Sequence, residues 1–117
     1  MSLSHPYNSN QRLVVLGGGI SGMGAAVLGV QKGYDVFLSD AGVLVPAFAK
    51  ALQEQAISYE SGGHTMEKIL NASLVVKSPG IPDNAPLIVA IKAKGIEVVS
   101  EIEFAARFTD ECIIAIT

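Results

Sequence analysis

Short runs of β-branched and other apolar residues alternate with helix-like stretches from Arg12 to the end of the chain. Residues 13–16, 35–39, 57–59, 74–77, 97–99 and 112–116 read as strands. The first, fourth and last are almost purely apolar, as strands covered on both faces are. Ile57-Ser58-Tyr59-Glu60 alternates instead, which predicts an edge strand. Strands and helices in this order predict an α/β fold, a mostly parallel sheet of about five strands with helices on both faces.

The helices carry their own punctuation. Ser21 is placed to cap a helix reaching Lys32, and Gly33 supplies the left-handed residue that stops it. Pro46 suits the first turn of a helix reaching about Gln55, with Phe48 and Leu52 one turn apart on its inner side. Asn84 with Pro86 opens another helix, closed by Gly95. Ser100 and Glu103 form the S-x-x-E capping pattern of a helix through Arg107, and a shorter helix is expected over 65–70.

Composition narrows the picture. Half of the 117 residues are hydrophobic and 16% are charged, which fits one domain with a large core. The net charge is −3 and the basic residues are scattered, so neither nucleic acid nor a membrane surface is the expected partner. A phosphate ligand stays compatible with that charge, because amides at a helix start hold an anion without basic side chains. Cys112 is the single cysteine and reads as a core thiol. No apolar run approaches the roughly 18 residues of a membrane span, and the opening lacks a signal-peptide segment. A cytoplasmic protein without membrane insertion is expected, with residues 1–11 forming a tail or leader. His64 reads as a surface or capping residue, since no second ligand stands at metal spacing, and His5 falls in the tail.

The candidate chemistry lies in Leu16-Gly17-Gly18-Gly19-Ile20-Ser21-Gly22, between the first strand and the first helix. Gly17, Gly19 and Gly22 fit G-x-G-x-x-G. In that pattern the first glycine permits a tight turn, the second lets the backbone approach a diphosphate, and the third brings helix and strand together. Amides at Ile20 and Ser21 would face the phosphates, aided by the helix dipole. Asp40, at the end of the second strand, would accept hydrogen bonds from a ribose or a base; its bland alternative is to cap the next turn. Lys77 ends an apolar strand, so its charge must reach water or an anion.

Taken together, the glycine turn, Ser39-Asp40, Lys77-Ser78-Pro79-Gly80-Ile81-Pro82, Ser100-Glu101-Ile102-Glu103-Phe104 and Ile114-Ala115-Ile116-Thr117 resemble the Mur ligases. The resemblance runs from Leu13 to Thr117 and is nearest to the branch that adds D-glutamate to UDP-N-acetylmuramoyl-L-alanine. It implies a Rossmann-like domain over 12–109 that holds the UDP moiety. At the diphosphate it implies contacts from Ile20 and Ser21, within the turn that Gly19 and Gly22 keep open, while Lys77 is expected either beside the phosphates or reaching out to solvent. Asp40 and Ala41 would meet the uracil end, and Ser78, Pro79 and Gly80 would line the other side of the uridine. Some members carry Thr-Arg after the aspartate, with the arginine over the uracil; Ala41-Gly42 stands here instead, so the base contacts must come from elsewhere.

The resemblance also implies ATP and Mg²⁺ as cofactors of the parent enzyme and none in this piece. In the family a phosphate loop follows the final Ile-Thr pair. Residues 110–117 would begin the central ATP-binding domain, D-glutamate and ATP would act through parts not present, and the fragment would be inactive alone. The competing readings are a MurC-like ligase of the same family, an NAD(P)-binding domain of an oxidoreductase or regulatory protein, and an assembly module without a small ligand. The NAD(P)-binding reading leaves the SPGIP and SEIEF segments unexplained, and the assembly module leaves the glycine spacing and Asp40 as coincidence.

Overall fold

The computed structural model describes residues 11–108, and the expected sixth strand at 112–116, Cys112 and His5 lie outside them. Five strands form one sheet: β1 (Arg12–Leu16), β2 (Asp35–Asp40), β3 (Ser58–Ser61), β4 (Leu74–Lys77) and β5 (Glu97–Ser100). They are ordered β3-β2-β1-β4-β5, and every pair is parallel. The alternating strand β3 stands at the edge, as its sequence predicts. Leu16 is level with Ser39 on one side and with Lys77 on the other, so the carboxyl ends of β1, β2 and β4 form one rank.

Apolar residues on both sides of the central strands are what the two layers require. Leu13 and Val15 face a core with Met23, Ala26 and Phe104, whereas Val14 and Leu16 face a second core with Ile69, Ile88 and Ile91. Helices α1 (Ile20–Gln31), α2 (Pro46–Glu54) and α5 (Glu101–Ala106) contribute to the first layer, while α3 (Met66–Ile69) and α4 (Pro86–Ala93) cover the other. Leu13, Val14, Val15 and Leu16 are all fully buried. At about 1.5–3 kcal/mol for each such side chain, this strand is a principal source of stability.

Most helix ends follow the sequence signals. Gly33 and Gly95 hold positive φ values of 89° and 81° just past α1 and α4. Ser100 Oγ accepts the Glu103 amide at 3.0 Å at the start of α5. On α2, Leu52 is buried and Phe48 packs against the same core. Two cap expectations are corrected. The cap of α1 is Gly19, in extended backbone at φ −77° and ψ −172°, and Ser21 is already the second helical residue. Helix α4 is capped by Ala85, not Asn84, because Pro86 favours an extended residue directly before it.

Candidate functional site

In an open parallel sheet, ligands bind beyond the carboxyl ends of the strands where the strand order reverses. Here that point lies between β1 and β4. The turn after β1 and the Ser78-Pro79-Gly80 turn after β4 meet there, and a groove of about 290 Å³ opens between them. Its walls include Gly18, Gly19, Asp40, Ala41, His64 and Ser78.

The glycines are placed by distinct steric demands. Gly17 has φ +109°, and its amide donates to Ser39 O at 2.8 Å. A Cβ at Gly22 would lie 1.9 Å from the Gly17 carbonyl oxygen, so helix and turn touch backbone to backbone. A Cβ at Gly18 would lie 2.1 Å from Leu44 Cδ2 and 2.8 Å from Asp40 Oδ2. Gly18 fills a variable position of the glycine pattern, and spacing alone gave no reason for it to be small. At Gly19 a Cβ would meet nothing within 4 Å, so the turn is open on that side.

The Gly19 cap provides no side-chain acceptor for the helix it begins. The first-turn amides of an α-helix lack intrahelical partners, and the positive end of the dipole lies among them. The amides of Ile20, Ser21 and Gly22 therefore form an anion-accepting start, with Ile20 itself 82% exposed.

Asp40 is built into the frame of this groove. Its Oδ2 accepts the Gly18 amide at 2.8 Å and its Oδ1 accepts the Gly42 amide at 2.9 Å. The turn-capping alternative is thus realised, while a carboxylate keeps further lone pairs and Asp40 still lines the groove. Lys77 is mostly buried and turns along its own loop: Nζ donates to Ile81 O at 2.6 Å and lies 3.5 Å from Asp83. The charge at the strand end is thereby satisfied by a carbonyl and a carboxylate. Ser78 Oγ accepts the Gly80 amide at 3.3 Å, tightening the same turn. Pro79 lies on the far side and lines a second, mainly apolar cleft of about 450 Å³ together with Ser21, Glu101 and Phe104.

Two acids are shifted in opposite directions. Burial works against ionisation of Glu60, but hydrogen bonds from the Thr65 side chain and amide and from Ser39, with the charge of Lys68, outweigh it and hold the carboxyl below its usual range. Burial pushes Glu101 up, against the opposing effects of a hydrogen bond with Ser21 and the charge of Lys77. Glu101 thus links the start of α5 to the start of α1.

His64 is the site residue that sequence reasoning did not foresee. It is half-buried in the groove wall, with Nδ1 at 2.6 Å from Ser39 Oγ. Its only sequence signal is its place in the loop after an edge strand. Among the described residues, no group of three or more His, Cys, Asp or Glu could hold a metal ion, and no helix is long and apolar enough to cross a membrane.

Residues 11–100 match the family model of the Mur ligase MurD-like N-terminal domain. The UDP-N-acetylmuramoylalanine--D-glutamate ligase of Cytophaga hutchinsonii is 54% identical over 98 residues, covering 84% of this chain and 22% of that protein. That of Christiangramia forsetii is 51% identical over 107 residues, covering 92% of this chain and 24% of the relative. The chain therefore spans roughly a quarter of the length of these curated relatives.

Among solved structures, a UDP-N-acetylmuramate-alanine ligase, MurC, from Thermotoga maritima superposes with a TM-score of 0.73 at 19% identity, over 87% of this chain and 23% of that one. A pseudomurein peptide ligase type C from Methanothermus fervidus gives a TM-score of 0.69 at 26% identity, over 84% of this chain and 20% of its own. The MurC likeness is one of fold, and neither the MurC-like nor the oxidoreductase alternative is favoured over the D-glutamate branch. The chain belongs to the Mur ligase family, as a MurD-like N-terminal domain.

Proposed function

We propose that this domain anchors the UDP moiety of UDP-N-acetylmuramoyl-L-alanine within an ATP-dependent ligase that adds D-glutamate to it. The observation that carries this reading is the uncapped start of α1 at the switch point of the sheet, open at Gly19 and flanked by the β2 and β4 loops. The diphosphate lies against the amides of Ile20, Ser21 and Gly22. The uridine lies along the groove between Asp40-Ala41 and the Ser78 and Gly80 ends of the β4 turn, whose Pro79 faces the second cleft. Lys77 braces the β4 loop through the Ile81 carbonyl, and the part of its charge that Asp83 leaves uncompensated is directed at the phosphates.

Holding the nucleotide handle places the far carboxylate of the substrate in an active site built by the remainder of the protein. There the terminal phosphoryl group of ATP would pass to that carboxylate with release of ADP, Mg²⁺ supplying charge neutralisation, and the amine of D-glutamate would then attack the acyl carbon, forming the amide and expelling inorganic phosphate. Residues 12–109 form the anchoring domain and 110–117 begin the ATP-binding one, in a cytoplasmic enzyme. The curated relatives named for this ligase activity support the reading.

Calorimetric titration of the 117-residue chain with UDP, UMP, NADH and NADPH tests it. Binding of UDP, weaker binding of UMP and no response to the dinucleotides is the expected result. Binding of NADH alone would overturn the proposal. Within it, unchanged UDP affinity in Lys77→Met would remove Lys77 from the phosphate site.

A further inference from the structure

The wall of the groove beside Asp40 and Ala41 contains a hydrogen-bonded chain whose proton positions are fixed by counting. Ser39 is fully buried at the end of β2, and its Oγ lies 2.7 Å from Glu60 Oε2 and 2.6 Å from His64 Nδ1. Glu60 also accepts the Thr65 amide at 2.7 Å and the Thr65 hydroxyl at 2.6 Å. With these donors around it, the Glu60 carboxylate is ionised and has no proton to give. The single hydroxyl proton of Ser39 therefore goes to Glu60. Ser39 must in turn accept from His64, so Nδ1 carries the ring proton.

A neutral imidazole has one proton on its two nitrogens. Fixing it on Nδ1 leaves Nε2 as a bare acceptor on a ring whose other edge is anchored to a buried hydroxyl. His64 lines the groove with Asp40 and Ala41, at the end that the proposed function assigns to the base. Ala41-Gly42 has no polar side chain to offer there, and both oxygens of the neighbouring Asp40 are already engaged by the Gly18 and Gly42 amides.

We propose that His64 Nε2 is the specificity-determining acceptor at the base end of this groove, taking a hydrogen bond from the imide N–H of a uracil ring. The inference rests on the nucleotide reading above and adds the residue that selects the base. Uracil presents a donor at N3, whereas cytosine presents a lone pair at the same place. Two facing acceptors leave both unsatisfied, which favours UDP over CDP by about tenfold. The diphosphate end is the same in both ligands, so the ratio of UDP to CDP affinity reads the base end alone.

The test has two parts on the 117-residue chain. Long-range proton–nitrogen NMR of the neutral ring is expected to show His64 protonated at Nδ1 and bare at Nε2; the opposite tautomer would overturn the inference before any ligand is added. Calorimetry then compares UDP and CDP. The wild type should prefer UDP about tenfold. His64→Phe, which keeps a ring in the wall, should bind the two nearly equally, the UDP-to-CDP ratio falling to about one. Ser39→Ala, which keeps the imidazole but removes the group that orders its proton, should reduce the preference in part. A UDP preference that survives in His64→Phe sinks the inference while leaving UDP anchoring in place. Failure of the wild type to bind either nucleotide sinks the nucleotide reading and this inference together.

Discussion

The carboxylate of Asp40 accepts the backbone amide of Gly18 at 2.8 Å, fastening the glycine turn after β1 to the end of β2. Because its other oxygen holds the Gly42 amide at 2.9 Å, the side chain is a two-ended clasp. Asparagine has one acceptor oxygen and would turn an NH₂ group towards the second amide. Asp40→Asn is expected to cost about 1–3 kcal/mol in urea unfolding. It should also weaken UDP binding, because the turn that presents the helix start is loosened. Unchanged stability would show that the clasp contributes nothing.

Three glycines between the cap and the fifth residue of α1 should respond in three ways. Gly22→Ala drives a methyl into the Gly17 carbonyl and is expected to destabilise by about 1–3 kcal/mol or more. Gly19→Ala meets no protein atom, so its stability cost should stay at or below about 1 kcal/mol, the cap effect, while UDP affinity falls at least about tenfold because the methyl stands where phosphate approaches. Gly24→Ala, exposed on α1 with open space around it, should stabilise by about 0.5–1 kcal/mol through helix propensity. Chemical denaturation and calorimetry on the three variants separate steric, binding and propensity effects.

Glu60 makes stability depend on acid. Its folded-state pKa lies below the ordinary glutamate value of 4.5, so its hydrogen bonds stabilise the fold above that value and are lost as pH falls through the lower folded value. Glu60→Gln should therefore be less stable than the wild type near pH 7, with the difference narrowing below about pH 4. Melting curves across that window check the sign.

Glu101 behaves in the opposite sense. A raised folded pKa means that its ionised form is disfavoured by folding, a cost present above the folded value and absent below the unfolded one. Glu101→Gln keeps an oxygen for the Ser21 hydroxyl and removes the charge. It should melt higher than the wild type at neutral pH, with the gain vanishing below about pH 4. A lower melting temperature at pH 7 would contradict this account.

The strands were legible because burial on both faces leaves an unbroken apolar run, and the edge strand because its exposed face restores polar alternation. The expected strands at 13–16 and 74–77 lie in β1 and β4. Caps were less legible, since Ser21 and Asn84 have capping chemistry but the backbone reaches extended geometry at Gly19 and Ala85 instead. What escaped the sequence altogether depends on contacts between distant segments. Gly18 must be small because Leu44 and Asp40 press on it. His64 joins the groove through a serine hidden on another strand. No local spacing records such encounters.

The level register of β1, β2 and β4 ties recognition to the integrity of the sheet. A uridine nucleotide in this groove would touch loops from three separate stretches of chain, so fraying of any one strand releases it. Occupancy then becomes a thermometer of folding: at a free concentration one hundred times the dissociation constant, the bound state gains about 2.7 kcal/mol against unfolding. Melting temperature rising with UDP would report, in one curve, that the three stretches act as a single cooperative body.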